Sequence, residues 1–194
     1  MTSQPDAADP GPAERSGTDL EPRDVDFKAV ARISTQARIE AVRLKFLHAD
    51  MLGDQPIPHD WTENVISGFT AGAYLDREAK RLTVQCGFVA VYAPGVDPTT
   101  DALPDPRDAP VELHARFVLL YQLDDVETVA ERDPEHFALS NGILHAWPYW
   151  REIAQSTTTR MGLTPLMVGM VKIPWSGDPD RESESADEKS SDPS

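Results

Sequence analysis

Histidine and cysteine are the first places to look for chemistry, and the chain has few of either. His48, His59, His114, His136 and His145 are its five histidines, and Cys86 is its one cysteine. No two of them stand in the HxxxH or CxxC spacing that sets metal donors side by side. Cys86 alternates with Val84 and Phe88 on the apolar side of a strand pattern. A reactive thiol needs an accessible, electropositive setting, so this one reads as buried and inert. One cysteine also excludes an internal disulfide. There is no GxxxxGK[ST] loop, no GxGxxG after a strand and no Gly-x-Ser-x-Gly elbow. His145 and Glu152 read as a pair on a helix surface. Glu112 and His114 are left as the candidates for acid–base work, and the strand pattern turns both away from the apolar side. An enzyme, with neither cofactor nor metal in view, is therefore the weaker class. In its best form the sheet wraps the helix around a small-ligand or acyl-group site served by His114 or Glu112.

Charge sets a second boundary. The net charge is −15. Residues 1–26 hold seven acids and two arginines, and residues 175–194 hold seven acids, Arg181 and Lys189. Each end is thus about −5 and rich in Pro, Ser, Asp and Glu, a composition that disfavours a packed core. These ends read as disordered acidic tails that either keep the protein soluble or dock on a basic surface. The domain then spans 27–174. Without a run of Lys and Arg, nucleic acid is not the expected ligand. No apolar run reaches membrane-span length and the N-terminus lacks a signal-peptide layout, so a soluble cytoplasmic protein is expected.

The elements that would position any site come next. Asp26–Thr35 reads as a short helix or the entry to the domain. Arg38–Met51 alternates as a half-buried strand, with Val42, Leu44 and Phe46 on one side and Arg43 and Lys45 on the other. Trp61–Leu75 holds a second strand, with Val65, Phe69, Ala71, Ala73 and Leu75 on one face and Gly68 and Gly72 on the other. Residues 76–80 make a charged turn into a third strand, Arg81–Ala93, and the two pair as an antiparallel hairpin. Residues 94–110 carry five prolines and four aspartates, a loop. Val111–Leu123 is the fourth strand and the clearest. Asp133, Pro134 and Glu135 then start a helix, with Asp133 as its cap.

That helix organises the chain. Ile143, Trp147, Trp150 and Ala154 fall on one stripe. Pro148 predicts a kink or restart. Arg160 and Gly162 predict the stop. An apolar extended segment follows. Four strands and then a long helix give an α+β fold with a four-stranded antiparallel sheet. One helix cannot cover such a sheet, and uncovered apolar surface favours self-association. Trp147 and Trp150, with Tyr149, either pack within the subunit or make the contact between subunits. Leu163, Leu166, Met167, Val168 and Met170 either cover the sheet or line a groove where methionine suits promiscuous contact. Trp61 is a groove wall or a lid on the core. Arg151 and Glu152 read as structural ion-pair partners beside Pro148.

The stretch Ala146-Trp147-Pro148-Tyr149-Trp150-Arg151-Glu152, followed by Arg160-Met161-Gly162 and Pro165-Leu166, resembles the SecB family of export chaperones. That family carries Leu-Phe-Pro-Tyr-Ala-Arg-Glu, then Arg-Gly, then Pro-x-Leu. Asn141 lies just before the motif, and Asp60-Trp61 leads into the second strand as in the family. The likeness covers about 36–174 in layout and 141–166 in motif. It implies a dimer of dimers that holds unfolded polypeptides in apolar grooves without ATP, and a SecA motor partner in export. After Pro174 the sequence turns acidic and low-complexity, so neither the family's second helix nor its cysteine–histidine zinc tail is expected there. That departure suits the related SecB-like chaperones of toxin–antitoxin modules, whose client is an unstable antitoxin, at least as well as export.

Overall fold

A computed structural model describes residues 24–51, 57, 65–92 and 110–169. Its elements are α1 (Phe27–Ser34), β1 (Ala37–Met51), β2 (Val65–Asp76), β3 (Arg81–Tyr92), β4 (Val111–Leu123), α2 (Asp133–Phe137), a π turn (Ala138–Gly142) and α3 (Ile143–Arg160). The strands form one antiparallel sheet in the order β1-β4-β3-β2. This is the expected α+β architecture. Trp61 and Met170 lie outside the described residues, as do 1–23 of the N-terminal tail and all of 175–194.

β3 and β4 occupy the middle of the sheet, and their alternation is broken only at Val91, which is buried as well. Leu82, Val84, Cys86, Phe88, Ala90 and Tyr92 on β3, with Val111 to Leu123 at every second position on β4, are all buried on one face. α2, the π turn and α3 pack on that face. Asp26 caps α1 by accepting from the Lys28 N–H at 2.8 Å, which satisfies one of the free donors at a helix start.

Three expectations change. First, Phe46 does not share a face with Val42 and Leu44. Val42 and Leu44 pair with Leu119 and Phe117, on the helix side. The register then shifts between Leu44 and Phe46, and Phe46 pairs with Arg116 on the outer side. A bulge at Lys45 adds one residue and so reverses the alternation. Second, Asp133 is the first residue of α2, and Arg132 occupies the cap position. The Asp133 carboxylate turns back instead, accepting from Ala130 N–H at 2.9 Å and from Arg32 at 2.6 and 2.7 Å. Third, of the kink or restart expected at Pro148, the restart is absent, because α3 runs through that residue as one helix. A departure from α geometry lies earlier, at Ala138–Gly142. There Gly142 faces the sheet so closely that a Cβ would sit 2.7 Å from Val84 Cγ1. A side chain at 142 has no room, and glycine permits the approach.

One further link ties the layers together. Arg77, in the β2–β3 turn, donates to the Val126 and Val129 carbonyls at 2.6 and 2.7 Å. It pins the connection between β4 and α2 to the tip of the hairpin.

Candidate functional site

An aromatic cluster lies between sheet and helix, with Phe88 of β3 at its centre. Trp150 stacks on it with ring centroids 5.6 Å apart and planes 10° apart. Trp147 and Phe117 meet it edge-on at 5.7 and 5.9 Å. Trp150 is 1% exposed, so it belongs to the interior of the subunit. Burying a ring of about 150–250 Å² at about 25 cal/mol per Å² contributes roughly 4–6 kcal/mol. The buried stripe of α3 is Ile143, Ala146, Trp150, Ala154 and Thr158, with Trp147 half-buried at its border.

After α3 the chain reverses. Gly162 takes φ +77°, the left-handed geometry that favours glycine at a helix stop. Residues 163–169 then run back along α3 as a strap fastened at two points. The Leu166 N–H donates to Thr158 Oγ1 at 3.0 Å, and the Trp147 indole N–H donates to the Gly169 carbonyl at 2.9 Å. Leu166 is buried beneath the strap, Leu163 and Val168 are half-buried, and Met167 is 67% exposed. Of the groove candidates on this segment, Met167 is the one fully presented to solvent.

The other apolar surface is β1. Ile39, Leu44, Leu47 and Met51 on the helix side and Phe46 on the outer side are each 42–48% exposed. They stay exposed because α3 lies over β3 and β4 and does not reach the sheet edge. Tyr149 and Leu144, also exposed, belong to the uncovered side of α3, and Tyr149 leans on Phe117 at 6.4 Å. Tyr149 is thus the subunit-contact candidate that reaches the surface. Arg151 and Glu152 are exposed on the same helix, and neither has an ion pair with another described residue.

The chemistry-bearing residues are dispersed. Cys86 is fully buried, and burial pushes its thiol up to about 12. His145 does not pair with Glu152. Its Nδ1 lies 2.9 Å from the Tyr121 hydroxyl, and burial holds its imidazole below the ordinary histidine range. Burial likewise raises Tyr121, with Cys86 adding to the shift. His114 contacts Glu112 on the outer face of the sheet, and His48 meets His114 edge-on at 6.2 Å. The buried Asp133 carboxylate is held below the usual range, first by its hydrogen bonds from Arg32. Among the described residues, no group of three or more His, Cys, Asp or Glu is placed to hold a metal ion. Nor is any helix there long and apolar enough to cross a membrane.

A four-stranded antiparallel sheet with one long C-terminal helix has a counterpart among solved structures. It superposes on the SecB-like chaperone Rv1957 of Mycobacterium tuberculosis, in complex with a ChAD peptide from the Rv1956 HigA1 antitoxin, at a TM-score of 0.58. This fold is SecB-like. The match covers 75% of this chain and 94% of that one at 17% sequence identity. A Streptococcus agalactiae protein of unknown function aligns at a TM-score of 0.38 and 12% identity, covering 70% of this chain and 98% of that one. No family model and no curated protein matches the sequence. Within the SecB-like fold the central role of Phe88 was not visible in the sequence. Its alternation marks it as core, but nothing local shows that two tryptophans sixty residues on will meet it.

Proposed function

We propose that the chain is an ATP-independent holdase that binds unfolded or partly folded polypeptide on apolar surface, acting in the cytoplasm as a homodimer or homotetramer. The observation that carries this reading is β1, with five apolar side chains 42–48% exposed along a single edge strand. A long, uncovered apolar edge is a template for another chain. A second copy covers part of it, together with Leu144 and Tyr149 of α3. Client polypeptide takes what remains, along with the strap that presents Met167. Many contacts at about 25 cal/mol per Å² hold a long client without any one being specific. The protein domain in this reading is 27–174.

The client class supported best is an antitoxin-like polypeptide, because the SecB-like chaperone of similar fold is seen with an antitoxin peptide. Export, with transfer to SecA, is the second setting and rests on the sequence motif around Pro148. The test is aggregation of a chemically unfolded client, followed by light scattering without nucleotide, alongside the mass of the purified protein in solution. Suppression near one oligomer per client is expected. L44D and L47D together should reduce suppression, and Y149D should reduce the mass. A monomer that leaves client aggregation unchanged at excess overturns the proposal.

A further inference from the structure

Arg43, Lys45 and Arg116 form an unopposed cationic strip on the sheet face turned away from the helices. Arg43 pairs with Val118 and Phe46 with Arg116 across the β1–β4 ladder, and Lys45 sits in the bulge between. The Arg116 guanidinium lies 5.9 Å from the centre of the Phe46 ring. The side chains of Arg43, Lys45, Phe46 and Arg116 are all exposed. Among the described residues no carboxylate is within ion-pair distance of Arg43, Lys45 or Arg116. The nearby Arg38 and Arg81 differ, since Asp124 and Glu40 face them at 3.3 and 3.4 Å.

In a chain of charge −15, three uncompensated cations beside an open aromatic ring are out of character, and the same chain holds their complement. Residues 178–188 read DPDRESESADE, six acids against Arg181, or −5 in eleven residues. Asp178, Asp180, Glu182 and Glu184 recur at every second position. In extended backbone they point to one side, about 7 Å apart. The reach also suffices. Gly169 is tied to Trp147, whose ring lies on Phe88 of β3. Passing the β1 edge from there takes two strand spacings and the thickness of the sheet, about 10 Å each. The nine residues from Gly169 to Asp178 extend to about 30 Å.

We propose that segment 178–188 of this chain docks in extended form on the outer face of the sheet, with its carboxylates on Arg43, Lys45 and Arg116 and its backbone over Phe46. Each exposed pair contributes little by itself. Tethering makes the encounter intramolecular, at an effective concentration on the order of millimolar. The tail is then a built-in competitor for any acidic peptide that would use this face. The proposal does not depend on the chaperone reading.

The test uses the full chain with a nitroxide on S183C, on the side of the segment away from the acids, because Cys86 is buried and will not be labelled. Amide signals of residues 43–46 and 116–118 should broaden at low salt and recover in about 1 M salt, where charges are screened within roughly 3 Å. R43E/R116E should abolish the broadening, and adding D178K/E182K should restore it, with circular dichroism confirming the fold of each variant. The idea fails if broadening is absent or confined to the helix side. It fails equally if broadening of isotope-labelled protein requires spin label on other molecules, because the occupant is then a second copy.

Discussion

Substituting Gly142 by alanine tests how closely the helical layer is seated on the sheet. Two effects oppose each other. Alanine in place of glycine within a helical turn gains about 0.5–1 kcal/mol from backbone entropy. The new Cβ, however, would lie 2.7 Å from Cγ1 of Val84, a side chain with no solvent exposure. Valine is stiff at χ1 and its neighbours are packed, so the contact is not relieved by a rotamer change. Overpacking of this kind costs about 1–3 kcal/mol. The clash should win, for a net loss of about 1 kcal/mol in G142A. V84A removes the offending methyl and by itself should cost about 2 kcal/mol. In that background G142A should change sign and stabilise by about 0.5–1 kcal/mol, a coupling of about 1.5–2 kcal/mol. Urea unfolding of all four proteins at one protein concentration, with slopes compared as well as midpoints, measures it. If G142A stabilises the parent, or costs the same in both backgrounds, the close seating of the π turn on β3 is wrong.

Three further outcomes follow from the hydrogen-bonded groups. W147F keeps a ring against Phe88 but removes the bond to the Gly169 carbonyl; amide exchange in residues 166–169 should accelerate about fivefold, matching one bond of about 1 kcal/mol, with α3 unchanged. His145 is held below its ordinary 6.5 by burial, so folding disfavours its charged form. Its contribution is full above the unfolded value and is lost as pH falls through that value towards the folded one. The urea midpoint should therefore drop on acidification below neutrality, and H145Q should flatten that slope. Asp133 is also depressed, first by its bonds from Arg32. Its stabilisation is present above the unfolded carboxylate value and is lost as pH falls through the lower, folded value. D133A leaves the Ala130 N–H without its acceptor and should cost about 1–3 kcal/mol at neutral pH, read by thermal unfolding, with a smaller difference from the parent in acid.

Much of this was legible in the residues. β3 and β4 alternate at every position but Val91, because burying one face of a central strand demands it, and their limits agree with the pattern within a residue. The tryptophan stripe and the glycine stop at Gly162 were also readable, since both depend on neighbours within a turn or two. β1 was legible as a strand but not in its facing. The bulges near Glu40 and Lys45 carry no glycine or proline to announce them, and one extra residue put Phe46 on the opposite side from Leu44. The π turn was invisible for a similar reason: its only mark is Gly142, whose need comes from Val84, far away in sequence. The sequence pairs His145 with Glu152 on its own helix, whereas its neighbour is Tyr121 on β4. Side-chain contacts across the sheet–helix interface depend on packing, which local periodicity does not encode. The surface candidates divided on the same principle. Trp150 sank into the core and Tyr149 stayed outside, although both belong to the motif.

The Arg77 staple has a consequence for how the molecule comes apart in acid. Its two acceptors are backbone carbonyls, which carry no ionisable group. The Asp133 link to α1 and the His145 contact with β4 do titrate. Acidification therefore slackens the outer helices while the β4–α2 crossover stays riveted to the hairpin. What ties hairpin to crossover ends on peptide oxygens rather than on an ionisable side chain.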